Sequence, residues 1–134
     1  MATINSEYLG NLRSQSVHVL SDSHLITDAP LDNNGKGEAF SPTDLVCTAL
    51  CTCMLTIMGI VARKEDLELK GLTASTTKIM SESPRKISEI QIDFVWNNPV
   101  GTAQQRQKLK SAALSCPVAL SISPAIYQRI KFNF

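Results

Sequence analysis

Four cysteines hold the reactive chemistry open to this chain. Cys47, Cys51 and Cys53 crowd into the run SPTDLVCTALCTCMLTIMGIVAR, and Cys116 stands far downstream in SCPV. If the run is helical, Cys47 and Cys51 share a stripe with Met54 and Met58. Cys53 is rotated from Cys51 by about 200° and joins Val46, Ala49, Leu50, Ile57 and Ile60. Cys51 and Cys53 then diverge too far for an unstrained disulfide. A partner for Cys53 must come from elsewhere, and Cys116 is the natural candidate. Two readings stay open on the residues alone: a redox pair of thiols, or small apolar side chains buried in a core.

Pro117 disfavours helical geometry at Cys116 and suits a first helical position, so Cys116 is expected as an N-cap with its sulfur near free amides. A helix end is worth about 0.3–1 kcal/mol to a charge, so this placement is expected to lower the thiol pKa modestly. Burial raises a thiol pKa, so a reactive Cys53 in mid-helix would need a cation beside it.

The elements that must position these sulfurs follow from the pattern. Ile4 to Leu20 reads as an extended strand or a pair of strands, and Leu25 to Thr27 resumes a hairpin after the Ser21–His24 turn. A polar loop from Asp28 to Phe40 leads to the central helix. Ser41 is the expected N-cap, with Pro42 and Asp44 in the first turn and an end near Ala62–Glu65. Leu72–Met80 forms a strand, and Ser83-Pro84-Arg85 a turn. Ile90, Ile92, Phe94 and Trp96 alternate with polar residues on the next strand. Thr102 with Gln105 matches a capping box for a helix to about Leu114, and Ile126, Ile130, Phe132 and Phe134 mark a last strand. The order ββ-α-ββ-α-β is an α+β pattern.

At 134 residues the chain suits a single domain, 1–134. Its net charge of +1 and 5% aromatic content argue against a nucleic acid partner. The start, MATINSEYLGNL, lacks a basic stretch followed by an apolar core, so no secretory signal is expected and the location is read as cytoplasmic. Leu45 to Ala62 carries no charge and reaches the lower length for a membrane span. Thr48, Thr52, Thr56 and Gly59 interrupt it, so it is read as the buried centre of a soluble protein, with no membrane partner. Gly35-Lys36-Gly37 lacks the spacing of a phosphate loop and reads as a flexible turn. His18 and His24 do not form a zinc pattern, and no cofactor or metal is expected. Arg106, Lys108 and Lys110 read as a solvated helix face.

The residues also resemble a family. GEAFSPTDLVCTALCTCMLTIMG is similar to the central helix of the OsmC/Ohr peroxide-reducing thiol proteins, SCPV resembles their second cysteine motif, and SPRKISEI resembles a segment between the two. The resemblance implies an OsmC-like fold, a β-sheet packed on a long central helix in an intertwined homodimer. It implies Cys53 as the cysteine that attacks a small-molecule peroxide and Cys116 as the one that resolves the resulting sulfenic acid to a disulfide. An external dithiol would then reduce that disulfide. Peroxidase members use an arginine and a glutamate around the reactive cysteine. Here Thr43 takes the glutamate's place, with Asp44 next to it as a substitute, and Arg13, Lys36 and Arg85 are the cations to weigh. A dimer that binds a small apolar ligand without catalysis, or a slow cysteine redox sensor, would suit the same sequence. Because Cys51 faces away from Cys53, Cys51→Ala is expected to leave peroxide turnover nearly intact in a steady-state consumption assay.

Overall fold

In the computed structural model, which describes residues 1–134, the elements run β1 (Ile4–Gly10), β2 (Arg13–His18), β3 (Ser23–Asp28), α1 (Pro42–Lys64), β4 (Thr73–Glu82), β5 (Arg85–Val95), α2 (Ala103–Leu114), α3 (Pro117–Ser121) and β6 (Tyr127–Asn133), with a 3-10 turn at Leu31–Asn33 between β3 and α1. The α+β order expected from the pattern is present. The chain divides into two compact units, residues 1–46 and 47–134, and the boundary falls inside α1.

The first unit is an antiparallel meander, β1-β2-β3. Ile4 to Leu20 is therefore a pair of strands, divided at Gly10-Asn11-Leu12, where all three residues have positive φ. Leu12 is an unusual residue for φ 62°. It is held there because its carbonyl accepts Ala29 N–H at 3.0 Å and its own N–H reaches Tyr8 Oη at 3.2 Å. Gly35-Lys36-Gly37 is a fixed turn rather than a slack one. Gly35 N–H donates to the Pro30 carbonyl at 2.9 Å and Gly37 N–H to the Ala29 carbonyl at 3.2 Å. A Cβ on Gly35 would lie 1.7 Å from the Ala29 carbonyl oxygen, so the turn requires glycine at that position.

Helix α1 opens with a reciprocal cap. Ser41 Oγ accepts Asp44 N–H at 3.1 Å, and Asp44 Oδ2 accepts Ser41 N–H at 2.9 Å. Arg63 and Lys64 occupy its last turn, at the negative end of the helix. Thr52 and Thr56 turn their hydroxyls back onto the carbonyls of Thr48 and Thr52, both at 2.8 Å, which lets polar residues sit on an apolar helix.

In the second unit β4 and β5 are antiparallel, and β6 joins β5 in parallel after the α2–α3 crossover. Strand β5 is longer than its alternation suggests because a bulge opposite Ile79/Met80 takes in Ser88, whose hydroxyl donates to the Ile79 carbonyl at 3.0 Å. The extra residue resets the alternation, so Ile87 and Ile90 are both buried. Ile90, Ile92, Phe94 and Trp96 join Cys47, Leu50, Cys51, Met54 and Met58 of α1 in the core. The β5–β6 register sets Phe94 opposite Phe132, with ring centroids 5.3 Å apart, and Trp96 meets Phe134 edge-on at 5.4 Å.

Thr102 and Gln105 form the expected capping box of α2. The basic residues of that helix are not simply solvated. Lys108 Nζ lies 2.7 Å from Glu65 Oε1, Arg106 donates to the Gly101 carbonyl, and Lys110 Nζ sits 5.2 Å above the Phe134 ring. Hydrogen bonds from Lys108 and Gln105 hold the Glu65 carboxyl below the usual range. These contacts anchor α2 to the end of α1 and to the C-terminal strand, a tie that helical periodicity alone does not reveal. Phe94 is fully buried, so Phe94→Ala is expected to cost about 3–5 kcal/mol of stability, read from the urea midpoint at unchanged m-value.

Candidate active site

Two of the sequence-predicted residues meet. Cys53 lies close enough to Cys116 for its side chain to act on that thiol, and all four cysteines are free. Their surroundings differ. Cys47, Leu50, Cys51, Met54, Met58 and Ala62 form the buried stripe of α1, whereas Ala49, Thr52, Thr56 and Ile60 are exposed. Cys53 stands at the seam between these faces and is partly exposed. Of the residues expected beside it, Leu50 is buried, Ala49 and Ile60 are open, and Val46 and Ile57 are intermediate.

Cys116 is the N-cap of α3 in extended geometry (φ −64°, ψ 154°), with Pro117 at the first helical position. Its sulfur accepts Ala119 N–H at 3.4 Å. The expected lowering of its pKa is overturned, because Cys116 has 0% exposure and burial pushes the thiol up. The Ala119 N–H pulls in the other direction, and the hydrogen bond and charge of Cys53 raise the thiol further. Desolvation outweighs the short helix end because a buried thiolate loses its whole hydration shell for one or two amide contacts.

The charged candidates lie in the first unit. Register sets Arg13 opposite Asp28 across β2–β3, and the guanidinium grips the carboxylate through Nε–Oδ1 at 2.7 Å and Nη2–Oδ2 at 2.8 Å. Glu38 Oε2 stands 3.6 Å from Arg13 Nη2, and Glu38 N–H donates to Asp28 Oδ2 at 3.1 Å. Asp28 is the one buried residue of this sheet, and its backbone N–H reaches the Phe40 carbonyl at 3.0 Å. The Arg13 hydrogen bond holds its carboxyl below the usual range, while the guanidinium is raised in turn, chiefly by that same bond.

Lys36 is exposed and adds its charge to the field at Asp28. Asp44 has one carboxylate oxygen in the helix cap. Sequence reasoning missed Asp28 and Glu38. A β2–β3 register would have found Asp28 opposite Arg13, but Glu38 reaches Arg13 only because the glycine turn folds the loop back. A cavity of about 360 Å³ in this unit is lined by Tyr8, Leu12, Asp28, Pro30, Pro42 and Thr43 among others.

A family model described as OsmC-like protein matches residues 35–131. The chain belongs to the OsmC-like family. Its structure is similar to that of a Psychrobacter arcticus protein titled an osmotic stress induced and detoxification response protein. The two chains are 45% identical with a TM-score of 0.94, over 99% of this chain and 96% of that one. More distant OsmC folds share the architecture. The organic hydroperoxide resistance protein OsmC of Legionella pneumophila is 14% identical, with a TM-score of 0.76 over 100% of this chain and 98% of the other. An organic hydroperoxide resistance protein of Elizabethkingia anophelis is also 14% identical, with a TM-score of 0.69 over 98% and 96%. A search of curated proteins finds no match.

In this OsmC-like chain the Arg13–Asp28 pair has a testable pH signature. The folded pKa of Asp28 lies below its ordinary value of 3.8, so the carboxylate stabilises the fold above that value and the contribution is lost as pH falls through the lower folded pKa. Asp28→Asn should therefore melt at a lower temperature than the parent at neutral pH, and the gap should close in strong acid when thermal melts are compared across the range.

Proposed function

We propose that this OsmC-like protein is a cytoplasmic, homodimeric thiol peroxidase that reduces an organic hydroperoxide or hydrogen peroxide with Cys53 and Cys116. The nearness of Cys53 to Cys116, close enough for one side chain to act on the other thiol, is the observation that carries the reading. Their unequal exposure supports the division of labour. Cys53, partly open, is the sulfur a peroxide can approach, and Cys116, enclosed beside it, is placed to resolve.

In this mechanism the Cys53 thiolate attacks the O–O bond, takes one oxygen as sulfenic acid, and releases an alcohol or water after protonation. The Cys116 sulfur then attacks the sulfenic sulfur, water leaves, and the Cys53–Cys116 disulfide forms. An external dithiol returns both sulfurs to thiols. The electrons come from the protein's own sulfurs and the dithiol, so the scheme uses no cofactor.

Among the cations weighed, Arg13 is the one we propose to serve the reactive thiolate. Its guanidinium is oriented by a buried carboxylate, whereas Lys36 is an exposed ammonium. Asp28 and Glu38 supply the carboxylates around the arginine in a chain that carries Thr43 in place of the family's glutamate. Asp44 serves first as a helix cap.

Homodimerisation is supported by α1, whose mean hydropathy reaches 2.3 although only 33% of that window is buried within one chain. By length and composition the helix could cross a membrane. In our reading its uncovered apolar face packs against a second copy. The cavity beside Asp28 favours a second reading, a non-catalytic dimer that holds a small apolar ligand. A slow redox sensor is favoured instead by the raised Cys116 thiol, which would delay resolution.

Paired variants separate these readings. Cys53→Ser should abolish consumption of an organic hydroperoxide, and Cys116→Ser should accumulate a sulfenic acid or mixed disulfide at Cys53, detected by dimedone labelling and peptide mass spectrometry. Undiminished turnover by Cys53→Ser would exclude the peroxidase mechanism.

A further inference from the structure

We infer that the Cys53–Cys116 disulfide is opened from one end only: the external dithiol attacks the Cys53 sulfur, and Cys116 is the leaving thiolate. The inference rests on the proposed function for the physiological origin of the disulfide, but the direction of opening follows from the geometry of the two sulfurs.

Thiol–disulfide exchange needs the incoming thiolate to reach one sulfur while the other accepts the electron pair, so access and leaving-group stabilisation decide which sulfur is attacked. Cys116 offers no access, with 0% of its surface exposed. Its backbone is fastened on both sides: its N–H donates to the Ala113 carbonyl at 3.2 Å, and its carbonyl accepts Leu120 N–H at 3.1 Å. Gln128 Nε2 also donates to the Ala119 carbonyl at 3.0 Å, tying α3 to β6. Uncovering the Cys116 sulfur would require these contacts to open together. Cys53 is partly exposed at the edge of the open face of α1.

Burial raises the Cys116 thiol, which works against its departure, so access sets the direction and the helix end helps the leaving sulfur only in part. The Ala119 N–H already points at Cys116 Sγ from 3.4 Å, so charge developing on that sulfur meets a donor in place. In the first step the dithiol's thiolate bonds to Cys53 Sγ, the S–S bond breaks, and its electron pair passes to Cys116 Sγ, which then takes a proton. In the second step the other thiolate of the dithiol attacks the reductant's sulfur in the mixed disulfide. Cys53 is expelled as thiolate, and the reductant departs as its own disulfide.

The full-length protein tests this without depending on peroxide chemistry. Diamide forms the disulfide, a brief pulse of cysteamine opens it, and acid quenching with N-ethylmaleimide fixes the products. Trypsin separates the Cys53 and Cys116 peptides, and fragmentation locates the adduct among Cys47, Cys51 and Cys53. Cysteamine should be found on Cys53 with alkylated Cys116 beside it, in excess over the reverse product by about tenfold or more at early times. Equal adducts, an excess on Cys116, or failure of diamide to form the bond would overturn the inference. A bond that forms with diamide and opens at Cys53, yet never forms with hydroperoxide, would uphold the direction of opening and refute the peroxidase reading.

Discussion

The architecture depends on covering α1. A helix of 23 residues that is apolar nearly all round cannot stand in water, and each face is met differently. One stripe, from Cys47 through Met54 to Ala62, fills the core of the second unit with the inward side chains of β5. The opposite face carries Ala49, Thr52, Thr56 and Ile60, small or self-bonded residues suited to another apolar surface. Cys53 lies on the seam between the faces. A sulfur deeper in the core would be closed to reagents, and one on the open face would be turned away from Cys116.

The two sulfurs show how desolvation and local hydrogen bonding compete. A capping amide is worth about 1 kcal/mol or less to a charged group, whereas full burial can move a pKa by up to about 3–5 units. At Cys116 the larger effect prevails, and the thiol is raised despite its N-cap position. A thiol held protonated by burial is a poor nucleophile, which suits Cys116 to follow rather than lead in the proposed scheme and slows that second step. The same N–H that does not offset burial at rest stands ready for the charge this sulfur would carry as a leaving group in the proposed cycle.

Arg13 is set by a different economy of contacts. Its two hydrogen bonds to Asp28 fix the plane of the guanidinium, and Glu38 approaches the same edge. A forked cation held this way loses little freedom when it meets an anion, which an exposed lysine such as Lys36 does not match. The clamp also joins β2, β3 and the loop before α1, so the charge and the loop geometry are set by one cluster within the first unit.

The sequence by itself determined the periodic and the locally capped features. Ser41-Pro42 with Asp44, Thr102 with Gln105, the alternation through Ile90 and Trp96, and the divergence of Cys51 from Cys53 all follow from backbone geometry over a few residues. The motifs around Cys53 and Cys116 likewise carried the family. Tertiary structure decided what depends on distance along the chain. It brought Cys53 near Cys116, buried Cys116 enough to reverse its expected shift, and set Asp28 and Glu38 on Arg13. It also turned Lys108 from a solvated charge into a partner for Glu65. Solvation and long-range charge pairing are properties of the packed chain, because the water a group loses depends on which distant residues replace it, and no local pattern records that.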